Sequence, residues 1–110
     1  MSTLREKHCV PCEGDVPVLD TAHAERFLAE LEGWALSEKG HAIEKDLVFK
    51  NFDKAMDFVN MVADIAEQEG HHPDIEISYN KVHLGLTTHS IGGLSENDFI
   101  LAAKIDGIRL

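Results

Sequence analysis

The sequence has no apolar run approaching the roughly 20 residues that span a bilayer. Its first residues, Met1 to His8, contain no apolar signal core. The expectation is a soluble, cytoplasmic chain with no membrane partner. Cysteine is scarce: there are two, Cys9 and Cys12, too few for the disulfide scaffold of a secreted domain. Their Cys-x-x-Cys spacing lacks the preceding strand of a thioredoxin-like motif. Zinc would need two further ligands, and the adjacent His8 and Glu13 are poorly placed to close a tetrahedron. The simpler reading is an N-terminal segment packed across the domain. Basic residues are also few, 10 against 20 acidic ones, for a net charge of -10. That balance argues against direct binding to nucleic acid or to anionic membrane. There is no Gly-x-Gly-x-x-Gly, no P-loop, no Gly-x-Ser-x-Gly, no internal repeat and no low-complexity tract.

What is present reads as one domain over residues 1–110, large enough to bury roughly two thirds of its unfolded surface. Residues 1–18, with Pro11, Gly14 and Pro17, read as irregular. Asp20 or Thr21 caps a helix in which Ala24, Phe27, Leu28 and Leu31 recur at helical spacing, with Gly33 as its stop. Trp34-Ala35-Leu36 and His41 to Phe49 read as a hairpin around Glu38-Lys39-Gly40. The alternation falters after Asp46, which predicts a bulge. Asn51 or Asp53 opens a second helix that ends at Gly70. Its apolar stripe is Phe52, Ala55, Met56, Val59, Val62, Ala63 and Ala66. Phe58, Met61 and Ile65 widen the stripe, either for a second contact or for a deeply buried helix. Ile75, Ile77 and Tyr79 alternate as a strand, Asn80-Lys81 turns, and Val82, Leu84, Leu86 and Thr88 form its partner. Ser95-x-x-Asp98 is a capping-box variant opening a third helix that Gly107 ends. The order α-β-β-α-β-β-α predicts an α+β two-layer domain, with a four-stranded antiparallel sheet and three helices on one face.

The chemistry-bearing stretch is Glu67-x-x-x-His71-His72-Pro73, with His89 ending the next strand. Histidine titrates near neutral pH and suits proton transfer. If Asn80 and Lys81 are the whole turn, Tyr79 pairs with Val82 and the register continues until His72 faces His89. Opposed residues have Cβ atoms about 5 Å apart. Neighbouring side chains on an extended segment point to opposite faces, so the adjacent His71 and His72 fit a metal site poorly. His83 shares a strand face with His89 but lies well along the strand from it. His8, His23 and His41 read as surface residues. Asp98 has two roles open to it, satisfying backbone donors as a cap or orienting a histidine, and the cap is the commoner.

Several motifs together resemble the pterin-4a-carbinolamine dehydratases. They are Glu67-x-x-x-His71-His72-Pro73, Tyr79-Asn80-Lys81-Val82, Thr88-His89 and Gly93-Leu94-Ser95-x-x-Asp98. Gly33-Trp34 and Phe49-Lys50-Asn51-Phe52 fit the family's earlier pattern, and the Cys9-to-Gly14 segment looks like that of some microbial and plastid members. The resemblance implies the α+β fold above and loss of water from 4a-hydroxytetrahydrobiopterin, giving the quinonoid dihydropterin. It implies no metal or organic cofactor, a pterin substrate, and assembly as a homodimer or homotetramer. It places His71, His72 and His89 as catalytic residues, Glu67 and Asp98 as supports, and Pro73, Ile75 and Thr88 around the substrate. Two positions depart from the pattern: Ile75 stands where many relatives carry Trp, and Gly70 where they often have Asn or Asp. The alternatives are a binding, assembly or transcriptional-cofactor protein on the same fold, suggested by the wide apolar face of the second helix, and an enzyme acting on another pterin.

Overall fold

Three helices and an open antiparallel sheet emerge in the computed structural model, which describes residues 4–9 and 18–108. The elements are a 3-10 turn at Leu4–Glu6, α1 (Thr21–Leu28), β1 (Ala35–Leu36), β2 (Ile43–Val48), α2 (Phe52–Glu69), β3 (Asp74–Ser78), β4 (Lys81–Leu86), a 3-10 turn at His89–Ile91, and α3 (Glu96–Asp106). The N-terminal segment is thus less irregular than expected near its start, and residues 10–17, with Cys12, lie outside the described residues. Asp20 caps α1 by accepting from the His23 amide at 2.8 Å. The helix ends at Leu28, before the expected stop. Glu30 and Leu31 then donate to Phe27 and Leu28 in tight i to i+3 bonds, so the last turn narrows before Gly33 reverses the chain at φ +80°.

The strand order is β1-β2-β4-β3, antiparallel throughout. The predicted bulge after Asp46 is absent: β2 pairs with β4 without a break from Ile43 opposite Leu86 to Val48 opposite Lys81. The second hairpin also differs from expectation. Its loop is Tyr79-Asn80, and Ile77 pairs with Val82, Ile75 with Leu84. Tyr79 takes the left-handed conformation, φ +54°, which sequence favours for Asn or Gly rather than Tyr. Asn80 is used elsewhere: its Nδ2 donates to the Phe49 carbonyl at 2.8 Å, and its own carbonyl accepts from the Phe49 amide. That bracket ties the hairpin tip to the end of β2 and shifts the register by two. A shift of two keeps every side chain on its face, so the core is unaffected while the cross-strand pairs change.

One face of the sheet, with Ile43, Val82, Leu84 and Leu86, is buried beneath the helices. From α2, Ala55, Phe58, Val59, Val62 and Ala66 pack into this core. Phe58 is therefore a core residue, 5 % exposed and 5.0 Å from Phe49 between ring centroids. Phe52 and Ala63 lie outside the buried stripe expected to hold them. Helix α3 is buried almost all round, from Asn97 to Ala103 and at Ile105. Its Phe99 is fully buried and stacks on Phe27 at 5.2 Å.

The N-terminal turn is held by charge as well as by the buried Leu4. Glu69 accepts from the Cys9 amide at 2.7 Å and pairs with His8 at 3.0 Å. Burial pushes the Glu69 carboxyl up, but the Cys9 amide, His8 and Lys104 outweigh it and hold it below the usual range. Truncation of the central ring is the sharpest test of this core. Phe99→Ala should cost about 3–5 kcal/mol in chemical denaturation; a loss under about 1 kcal/mol would mean that the ring is not a packing centre.

Candidate active site

The two adjacent histidines leave α2 through a left-handed C-cap. Gly70 has φ +67°, and both its amide and that of His71 reach the Ala66 carbonyl, at 2.9 and 3.3 Å. A residue with a Cβ is strained in that conformation. Beyond it the two side chains part. His71 is half-buried, and its Nε2 lies 2.6 Å from Asp98 Oδ1. His72 is exposed, and its Nε2 lies 2.5 Å from Glu67 Oε2. Glu67 thus supports His72 and Asp98 supports His71, a division the sequence did not assign.

Asp98 has no solvent exposure. Its Oδ2 accepts from the Ser95 amide at 2.9 Å and from the Thr88 hydroxyl at 2.8 Å. The two roles weighed for Asp98 are both filled, one by each carboxylate oxygen. Such a group is stable in a dry interior only when its oxygens are hydrogen-bonded. Thr88 is itself buried, and its hydroxyl also meets Ser95 Oγ at 2.8 Å. A single bridge to Gly93 fixes its backbone. The capping-box signature pointed to the Ser95–Asp98 part of this cluster; the Thr88-His89 motif placed Thr88 near the substrate but not its bond to Asp98.

The register that placed His72 opposite His89 does not hold. The β3–β4 ladder stops at Asp74 opposite Gly85, and its continuation would set His72 across from Thr87. His89 instead opens the 3-10 turn immediately after Thr88 and is exposed. The structure links it to the His71–Asp98 pair through the chain, by its neighbour Thr88. Pro73 is half-buried beside His72, and Ile75 sits on the core face opposite Leu84. Cys9 places its sulfur 3.6 Å from the Asn97 carbonyl, within the N-terminal packing. Among the described residues, no group of three or more His, Cys, Asp or Glu side chains is arranged to hold a metal ion.

His83 stands apart, on the sheet face away from the helices. Its Nδ1 lies 2.6 Å from Asp46 and its Nε2 3.4 Å from Glu44. The hydrogen bond to Asp46 raises its pKa above the ordinary 6.5, partial burial opposes this, and the charges of Asp46 and Glu44 add to it. A raised folded-state pKa stabilises the fold fully below the unfolded value, and the contribution is lost as pH rises through the folded one. His83→Gln should therefore lower Tm most below pH 6.5. The gap from wild type should narrow as pH rises above that value; a gap independent of pH would show that the pair carries no linkage.

An α+β domain with a buried carboxylate bonded to a histidine at the end of its long helix is a frame for acid–base chemistry. A family model for pterin 4 alpha carbinolamine dehydratase matches residues 17–108, and the chain belongs to that family. A Rickettsia canadensis protein classed as a pterin-4-alpha-carbinolamine dehydratase is 51 % identical over 107 residues, covering 96 % of this chain and 97 % of its own. The crystal structure of a transcriptional coactivator/pterin dehydratase from Brucella melitensis aligns with TM-score 0.78 at 34 % identity, over 81 % of this chain and 95 % of that one. A pterin dehydratase-like RuBisCO assembly factor of the alpha-carboxysome shares the fold, with TM-score 0.58 at 24 % identity, over 68 % and 87 % of the two chains. No helix among the described residues is long and apolar enough to cross a membrane.

Proposed function

We propose that this chain is a hydro-lyase that removes water from 4a-hydroxytetrahydrobiopterin by histidine acid–base catalysis. The observation that carries the reading is the His71 imidazole bonded at 2.6 Å to the buried Asp98, in a member of the dehydratase family. Dehydration needs an acid to protonate the 4a-hydroxyl, so that the C4a–O bond breaks and water leaves. It also needs a base to take the N5 proton, and the freed N5–H electron pair closes the C4a=N5 bond of the quinonoid dihydropterin. In this reading His71 is the acid, His89 the base, and His72, supported by Glu67, holds the substrate. Pro73 and Ile75 supply apolar contact near it. The product returns to the tetrahydrobiopterin cycle that serves aromatic amino acid hydroxylases.

Purified protein should accelerate decay of the 4a-carbinolamine. His71→Ala and His89→Ala should each slow it about 10²–10⁴-fold. Full activity in both variants would sink the assignment. The assembly reading is weaker, because Phe58, one of the residues that widen that face, is buried in the chain's own core.

Self-association completes the proposal. Strand β3 lies at the sheet edge with Ile77 39 % exposed, and an unpaired edge favours pairing with a second copy. Sedimentation should find a dimer or tetramer; a monomer at micromolar concentration would refute this part alone.

A further inference from the structure

We propose that Thr88 and Ser95 are positioning residues for the dehydration: with Asp98 they form a one-way hydrogen-bond chain that holds a proton on His71 Nε2 and leaves Nδ1 as the ring atom that meets the substrate. The proposal rests on the reading of His71 as catalytic. Its direction follows from counting protons. Asp98, as a carboxylate, can only accept. Thr88 has one hydroxyl proton, and its Oγ1 lies 2.8 Å from both Asp98 Oδ2 and Ser95 Oγ. That proton therefore goes to Asp98, and Ser95 must donate to Thr88. The same logic applies at the other oxygen, where Oδ1 at 2.6 Å requires a proton on His71 Nε2. A bare Nε2 would set two acceptor lone pairs against each other in a buried site.

The ring is thereby committed in both of its states. When neutral, it carries its lone pair on Nδ1; when charged, the proton it can give away is the one on Nδ1. No described residue hydrogen-bonds that nitrogen. Asp98 cannot turn to relax the constraint. Its Oδ2 is held from two directions, by the Ser95 amide at the start of α3 and by Thr88 on the segment after β4. Thr88 is in turn fixed by its backbone N–H, which donates to the Gly93 carbonyl at 2.9 Å. The two hydroxyls belong to buried residues and act on the substrate only through Asp98 and His71.

The test combines kinetics on the carbinolamine with imidazole ¹⁵N spectroscopy of histidine-labelled full chain. Wild type should show neutral His71 with its proton on Nε2. Thr88→Val keeps the branched shape and removes the donor. It should lower kcat roughly ten- to a hundredfold, as loss of a partner behind a functional histidine does elsewhere, with KM nearly unchanged. The Nδ1–H tautomer of His71 should rise with it. Thr88→Ser should restore both readouts, and Ser95→Ala, which keeps the Ser95 amide, should shift both in the same direction by less. A wild-type His71 protonated on Nδ1 with Nε2 bare would overturn the proposal without any variant. So would a Thr88→Val protein that loses kcat with its tautomer unchanged, since that would be a merely structural effect. If Thr88→Val does not fold, Ser95→Ala and the wild-type tautomer decide. A wild type inert towards the carbinolamine would refute the dehydratase reading, while the ¹⁵N signals would still decide the hydrogen-bond chain.

Discussion

One buried carboxylate organises the site. Asp98 has no contact with solvent, and leaving such a group unpaired in the interior would cost more than a domain of this size has to lose. Its bonding partners come from three separate places: the start of α3, the segment after β4, and the turn after α2. The N-terminal end of α3 adds a favourable dipole. Meeting the needs of this one group therefore brings together elements that are far apart in sequence. The position of His71 is a consequence of that requirement.

The same device recurs around α3. At its far end Asp106 accepts from Trp34 Nε1 and pairs with Lys45, both at 2.9 Å. Lys45 sits on the core face of β2, opposite Leu84, where an apolar residue would be expected. Apolar burial is non-directional, and α3 is apolar nearly all round, so packing alone would define its rotation and axial position weakly. Carboxylates at both ends, bonded to β2, to the segment after β4 and to the Trp34 region, remove that freedom. The helix that carries Asp98 is thus registered at each end by charge, and its middle supplies the core.

The periodic parts of the fold were legible because caps, glycine stops and strand alternation are local. Asp20, Asn51 and Ser95 open their helices where the sequence placed them, and Gly70 and Gly107 end theirs. Tertiary context decided what was missed. The tip of the second hairpin moved by one residue at each end because Asn80 bonds Phe49, a partner 31 positions away, and Tyr79 accepted a left-handed conformation instead. No propensity rule anticipates that bracket. The histidines themselves were visible, and so were their two carboxylates. Which carboxylate served which histidine was not, because the sheet ladder that seemed to align them ends before it reaches His72.

The adjacency of His71 and His72 now has a physical account. Extended neighbours point to opposite sides, and here they do: one turns inward to Asp98, the other outward to Glu67. The helix must therefore release the chain so that the first residue beyond its cap faces α3. The left-handed Gly70 sets that angle, while its amide and that of His71 share the Ala66 carbonyl. Asn and Asp are the non-glycine residues that best tolerate this conformation. Glycine adopts it without a Cβ penalty and so sets the direction of His71.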